Sequence, residues 1–482
     1  MPMPKLTGLP RVTIRGPKPL PLAGAFVNVL RFFADPVGAM LDLQRRFGAL
    51  STVNDGDPGL VCAIGPSWNR EVLSNAALFQ NNEDFLFKAP EGSAFQRFNA
   101  SLVLMNGERH KRARRLMMPA FQKAAIEGYA RTVTSTADEL CARWPLGQRV
   151  DVAQLVRELT LVVAMRCFFG VESVPDAEAL GKIAVAQLDA LASPRTILFP
   201  FDLPGTTYRA LLVACEQLEA RFRALVADKR RAREPSADVL SMLVRARDES
   251  GSAFSDDELM GHMNTLFVAG HETTANTLAW TLFLLVQHPE VLGALLDEGA
   301  SVLRGGLPAP EHIPRMPLLD RVVKESMRLL PATPMLFMRV CSEATTLGDH
   351  PLPAKANVVL SPLLTHRDPT IYPEPKRFVP ARWETLEPSI HDYLPFGAGP
   401  RMCLGAAFAQ QALRLLLPML LQRFRFTLAS DAEISRVVRG ITLGPKHGLP
   451  MRLDRPGAGA LPAKTSGGGA VRGDIHALVE LG

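Results

Sequence analysis

No two of the six cysteines (Cys62, Cys141, Cys167, Cys215, Cys341 and Cys403) form a CxxC pair or fall at disulfide-framework spacing. That excludes a small secreted scaffold held by cross-links and points to a reducing, cytoplasmic setting. Long apolar runs are missing too. Residues 1–21 are rich in proline and broken by Lys5, Arg11, Arg15 and Lys18, so neither a signal peptide nor a membrane anchor is expected there. The most apolar window, 266–286, carries His271 and Glu272, and a buried core helix accounts for it better than a membrane span. The net charge is +6, but the two signs interleave and no basic tail for nucleic acid exists. A soluble, monomeric protein is the expectation.

What is present is material for a large core, since 47% of the 482 residues are hydrophobic. One loop stands out: Phe396-Gly397-Ala398-Gly399-Pro400-Arg401-Met402-Cys403-Leu404-Gly405. Its glycines permit close backbone approach or positive φ. Residues 406–424 follow with helical apolar spacing, so Cys403 precedes a helix N-terminus, whose dipole and free N–H groups stabilise a sulfur anion. Such a thiolate suits the axial position of a haem iron. The alternative is a buried structural cysteine.

Elsewhere the pattern is mostly helical. Asp35 before Pro36 reads as the cap of a helix to Phe47, and 50–64 as a strand pair around the turn Asn54-Asp55-Gly56-Asp57. Residues 79–106 show little periodicity, which at that length suggests a functional loop. His110 and Arg114, four apart, share a helix face. Helices are expected over 151–169, 177–192 and 207–232. The apolar stretch 193–206 between the last two marks a ligand or membrane contact, or packs back onto the body. Ser255-Asp256-Asp257-Glu258 is a capping box that opens a buried helix running to His288. Its middle, Ala269-Gly270-His271-Glu272-Thr273-Thr274, is poor helix chemistry, and local rules tend to break where function demands it. Glu325 and Arg328 sit at i,i+3 on the helix 319–330. Residues 456–482 read as a Gly/Ala-rich disordered tail, with 476–481 able to form a short helix.

The Cys403 loop resembles the haem-binding loop of the cytochrome P450 family at every fixed position, and three further motifs follow the family's order across residues 17–455. The resemblance implies a mainly α-helical cytochrome P450 fold with a small β subdomain, preceded by a flexible lead over 1–16. Haem b (iron protoporphyrin IX) would lie between the long central helix and the Cys-loop helix. Cys403 would be the axial metal ligand, framed by Phe396 and Gly405. His110, Arg114, Arg339 and Arg401 would reach the propionates, while Ala269 and Gly270 let the central helix lie flat over the ring. Thr273 would hydrogen-bond dioxygen and Glu272 feed protons inward. Glu325, Arg328 and Arg382 would form a buried supporting network.

The implied activity is monooxygenation: dioxygen is split with two external electrons, and one oxygen atom enters a C–H or C=C bond of an apolar small molecule. Phe85, Phe87, Phe199, Phe201, Thr333 and Leu336 are candidates for its pocket, joined by Phe95, Phe98 and Leu198. The acidic turn 54–57 offers a fatty acid no anchor, so a terpenoid, steroid or polyketide is favoured, although Arg97 is an alternative anchor. Electrons would come from a separate ferredoxin or flavodoxin and its reductase, docking on Lys111, Arg112, Arg115, Arg414 and Arg423. A peroxide-using or peroxide-isomerising haem-thiolate enzyme is one alternative, disfavoured by the Glu272–Thr273 pair. A non-enzymatic haem sensor is the other, disfavoured because no second signalling domain is recognisable.

Overall fold

The structure is a computed structural model that describes residues 8–19, 24–82, 89–193, 195–196, 199–234, 236–457 and 471–481. Helix α1 (Phe26–Ala34) turns at Asp35 into α2 (Pro36–Phe47). The Asp35 carboxylate accepts from Gly38 N at 3.0 Å, satisfying one of the orphan first-turn N–H groups beside Pro36. Strands β1 (Leu50–Thr52) and β2 (Val61–Ala63) pair antiparallel across the 54–57 turn. Together with β3 (Phe79–Asn81), β5 (Arg339–Cys341) and β8 (Asn357–Leu360) they make a five-stranded sheet ordered β1-β2-β8-β5-β3. Strand β4 (Arg149–Asp151) joins β9 (Arg425–Leu428) and β12 (Pro450–Asp454) in a second sheet. Two hairpins, β6 (Thr345–Leu347) with β7 (His350–Leu352) and β10 (Arg436–Arg439) with β11 (Thr442–Pro445), complete the strands.

The body is helical. After α3 (Ala94–Asn99) and α4 (Gly107–Met117) come α5 (Val152–Ala164), α6 (Val174–Ala192) and α7 (Thr207–Arg231). The expected helix over 151–169 stops short: its last residues, Met165–Phe169, widen into a π turn that ends at Gly170, φ +64°. Helix α8 (Asp256–Gln287) is the central element and packs most extensively against α5. Both halves of its capping box are made, Glu258 N to Ser255 Oγ at 3.2 Å and Ser255 N to Glu258 Oε2 at 2.8 Å. No single helix among the described residues is long and apolar enough to cross a membrane. Helices α9 (Pro317–Leu329) and α10 (Ala406–Arg423) flank the Cys403 loop in sequence.

Two terminal expectations are corrected. The lead over 1–16 is not free from residue 11 onward, because Val12 N bonds Gly56 O at 2.9 Å, Thr52 N bonds Arg15 O at 2.9 Å, and Ile14 is buried. Nor is the whole of 456–482 a disordered tail. Residues 471–481 dock on the body through a 3-10 turn, Asp474–Ala477, with Ile475, Leu478 and Val479 buried. Its apolar spacing was the overlooked signal. The remaining tail residues, 458–470, lie outside the described set.

Helix α9 presents Glu325, fully buried, to a fan of donors. Arg328 donates through Nε and Nη2 at 2.9 Å each, Arg382 Nε at 3.0 Å, Trp383 Nε1 at 2.9 Å and Val379 N at 3.0 Å. Arg328 turns its remaining donors to the carbonyls of His366, Pro375 and Arg377. Every strong group is paired, which a buried ion cluster requires. Glu325→Ala would strand two buried guanidinium groups, a loss of about 3–5 kcal/mol. Set against the roughly 5–15 kcal/mol that holds a domain folded, that should appear as a large drop in the denaturant midpoint. A midpoint that stays put would show that the network is dispensable.

Candidate active site

The Cys403 loop is held by its own backbone. Gly397 and Gly399 have φ of +68° and +72°, and a Cβ on Gly399 would lie 2.3 Å from Leu73 O, so both glycines are required. Cys403 N donates to Phe396 O at 2.9 Å, closing the loop just ahead of α10. Cys62, Cys141, Cys167, Cys215 and Cys341 are buried, whereas Cys403 is exposed. Protein nevertheless surrounds the sulfur closely enough to desolvate it. Burial pushes the Cys403 thiol up, while the Gly405 N–H and the Arg114 charge pull it down. Burial wins. The helix N-terminus alone therefore does not make a thiolate, and a metal cation at the sulfur would supply what is missing.

Helix α8 carries Ala269, Gly270, Glu272 and Thr273. It is buried almost throughout from Leu259 to Gln287, yet partial exposure recurs at 264–265, 268–270 and 272–273. That four-residue recurrence is one helical face, and Ala269 is its most open point. A Cβ on Gly270 would lie 2.3 Å from Phe168 Cε2, so the glycine lets α8 seat closely against the π turn after α5, and it stays partly exposed beside Ala269. The Thr273 hydroxyl donates to Ala269 O at 2.7 Å, the carbonyl one turn back. Glu272 makes no ion pair among the described residues. Burial pushes its carboxyl up, opposed by Arg157, Thr442 and Arg439.

Four cationic or titratable side chains, His110, Arg114, Arg339 and Arg401, converge beside the Cys403 loop. His110 is buried, and its pKa falls to about 4 through burial and the charges of Arg401, Arg114 and Arg339. Arg339 is buried with Nη1 unpartnered, and burial, then Arg401, lowers it to about 9. Arg401 reaches Met105 O at 2.8 Å and also Asn106 Oδ1, but its Nε has no partner. Arg114 donates to Met402 O at 2.9 Å. None of the four has a carboxylate within ion-pair distance among the described residues. Uncompensated buried cations are costly unless an anion arrives. Two propionate groups beside an iron at Cys403 answer that need, so the donor set fits haem.

The remaining candidates are scattered. Phe85, Phe87 and Leu198 lie outside the described residues. Phe199 and Phe201 are 51% and 46% exposed, on the protein surface rather than walled in. Phe95 and Phe98 are buried, with Phe98 against Phe222. Leu336 packs beside Gly397 and the Leu394 cluster, and Thr333 is half-buried. The five cations offered as a docking patch are not free. Lys111 pairs with Glu108, Arg112 with Asp248 and Glu258, Arg115 with Glu249, Arg414 with Asp320 and Arg423 with Asp138. Asn106, Arg157 and Thr442 are site neighbours that the sequence reading missed, because no local pattern links them to residues far along the chain.

The cytochrome P450 family model matches residues 14–449. The chain belongs to the cytochrome P450 family. It is 31% identical over 445 residues to cyclooctatin synthase of Streptomyces melanosporofaciens, covering 90% of this chain and 94% of that protein. It is 28% identical to putative cytochrome P450 139 of Mycobacterium tuberculosis, covering 87% and 98%. A cyanobacterial CYP120A1 solved with retinoic acid bound superposes with a TM-score of 0.79 over 92% of this chain and 100% of that one, at 24% identity. As a cytochrome P450 the protein is an oxidoreductase, a monooxygenase that works with a haem iron.

Glu272 gives a pH-dependent expectation. Its folded pKa is raised above 4.5, so the fold favours the protonated form, and stability falls as pH climbs above 4.5 and the carboxyl is forced to ionise. Glu272→Gln removes that penalty. Thermal melts should show the variant gaining on the parent as pH rises above 4.5, and a difference independent of pH would contradict the raised pKa.

Proposed function

We propose that Cys403 is the axial ligand and that the enzyme hydroxylates or epoxidises a neutral, apolar small molecule. The observation that carries the first part is an exposed cysteine beside three arginines, Arg114, Arg339 and Arg401, that meet no carboxylate at ion-pair distance among the described residues. The bound haem would supply dioxygen activation and bond-making. The protein's own tasks follow from its side chains. Arg114, Arg339, Arg401 and His110 would orient the group by its carboxylates, with the arginines supplying planar forks. Burial raises the Glu272 carboxyl above its ordinary range, which favours a proton there. Thr273, next to it on α8, has a hydroxyl that can leave Ala269 O and pass that proton on.

Neutrality of the substrate is supported by what the cations are doing. Arg97, the alternative anchor for an acid, is committed to Glu219 through two hydrogen bonds of 2.6 Å. The acidic turn at 54–57 is occupied by the lead, with Arg11 and Gly16 N on Asp55. Pockets of this kind are mostly apolar with few polar groups. Electrons are proposed to come from a separate ferredoxin or flavodoxin and its reductase.

Cys403→Ser should abolish the long-wavelength Soret band of the reduced CO complex; a band that survives would remove Cys403 as the ligand. Thr273→Ala should still bind haem but release peroxide in place of product, with coupling falling about tenfold. Unchanged coupling would take Thr273 out of the relay. In a Soret-shift titration, neutral polycyclic compounds should bind at about tenfold lower concentration than long-chain fatty acids. The reverse order would overturn the neutral-substrate reading.

A further inference from the structure

The family match ends at residue 449, and residues 471–481 lie beyond it. This stretch is bound to the body as a docked peptide would be. Ile475, Leu478 and Val479 are each 0% exposed. Ile434 N donates to Arg472 O at 2.7 Å, Ile475 N to Ile434 O at 3.2 Å and Glu480 N to Lys376 O at 3.0 Å. Gly473 has φ +108°, and a Cβ there would lie 2.3 Å from Ile434 O, so only glycine allows this backbone approach. Asp474 accepts from Arg436 N at 2.7 Å.

One contact leads inward. Leu478 O accepts from Arg367 Nη2 at 2.9 Å. The same guanidinium donates to Leu329 O, at the end of α9, at 2.6 Å and to Leu363 O at 2.9 Å. It is enclosed by protein with no carboxylate at ion-pair distance among the described residues, and its pKa falls to about 9 through burial and then Arg328. Its neighbour His366 is fully buried. The His366 ring accepts from Leu394 N through Nε2 at 2.9 Å, and its main-chain oxygen accepts from Arg328 at 2.9 Å. Leu394 stands two residues before Phe396, whose carbonyl holds Cys403 N at 2.9 Å. Three hydrogen bonds, joined by the chain itself at His366–Arg367 and at 394–396, therefore connect Leu478 to Cys403.

We propose that residues 471–481 are a strap that holds the Cys403 loop in its ligating geometry, acting through the positioning residues Arg367 and His366. The proposal rests on Cys403 as the haem ligand. Contiguity alone is not coupling, so the two ends must be measured together. The haem-loaded full chain is compared with a variant lacking residues 458–482. The readouts are the reduced CO spectrum, haem transfer to apomyoglobin, and amide hydrogen exchange.

Removing the strap should convert part of the thiolate CO band to the shorter-wavelength form and speed haem loss about tenfold, the signature of a locally loosened ligand loop. Exchange should rise at 363–367 and 392–403 and stay unchanged in α5. A synthetic peptide of residues 471–481, added at roughly the millimolar concentration that a tether provides, should restore the full-length spectrum. If the shortened chain does not accumulate, Leu478→Ala in the full chain should give the same pattern at smaller amplitude, with Leu478→Met, which keeps the volume, behaving as the parent. An unaltered band and haem loss, or exchange raised equally in α5, would overturn the strap. A full chain with no thiolate band would overturn the Cys403 assignment instead.

Discussion

The carboxylate of Glu325 is the point through which the haem-side architecture is fixed. One buried anion meets two guanidinium groups, an indole N–H and a backbone N–H, so both arginines depend on the same carboxylate. Apolar packing is non-directional and would accept many loop conformations at similar free energy. The ion cluster does not. Arg328 spends its spare donors on the carbonyls of His366, Pro375 and Arg377, which wraps the irregular chain from 366 to 383 around α9. Tyr372 and Tyr393 extend the hold, with hydroxyls on Asp392 O and Lys324 O at 3.0 Å each. The segment leading to the Cys403 loop is thus positioned by hydrogen bonds before any cofactor is considered.

The site itself is built the opposite way. Where the Glu325 cluster gives its arginines a buried carboxylate, Arg114, Arg339 and Arg401 meet none at ion-pair distance among the described residues. In an apo chain that arrangement costs stability, and it persists because the surrounding fold over-determines it. Such a contrast within one protein separates a structural ion network from a binding one. The first is complete, and the second waits for an anion.

Much of this was legible in the sequence, for identifiable reasons. The capping box at Ser255, the Asp35–Pro36 helix start and the glycines before Cys403 are local signals whose chemistry requires little tertiary context. The cationic cluster was legible only through the resemblance to a known family, because His110, Arg339 and Arg401 are brought together by topology, not by spacing. Two readings failed because the deciding contacts are not local. Arg112 and Arg115 read as a free basic patch because acids 130 to 150 positions away cannot be paired by eye. The tail was judged by its glycine-rich half, whereas Ile475, Leu478 and Val479 carry the apolar spacing of a docked segment.

The electrostatics of α4 bear on how the protein meets a donor. Arg112 is tied to Asp248 at 2.7 Å, to Glu258 at 3.3 Å and to Ala253 O at 2.8 Å, and its guanidinium lies over Phe254. It therefore clamps the 248–255 loop to α4 and is not available to a partner without losing that clamp. Lys111 and Arg115 differ: their pairs with Glu108 and Glu249 are largely exposed, and exposed pairs contribute only about 0–1 kcal/mol. An acidic partner can displace Glu108 and Glu249 from them at little cost, whereas it would have to break three contacts to engage Arg112. Any charge-steered docking on this face thus falls to Lys111 and Arg115, with Arg112 holding the surface on which they stand.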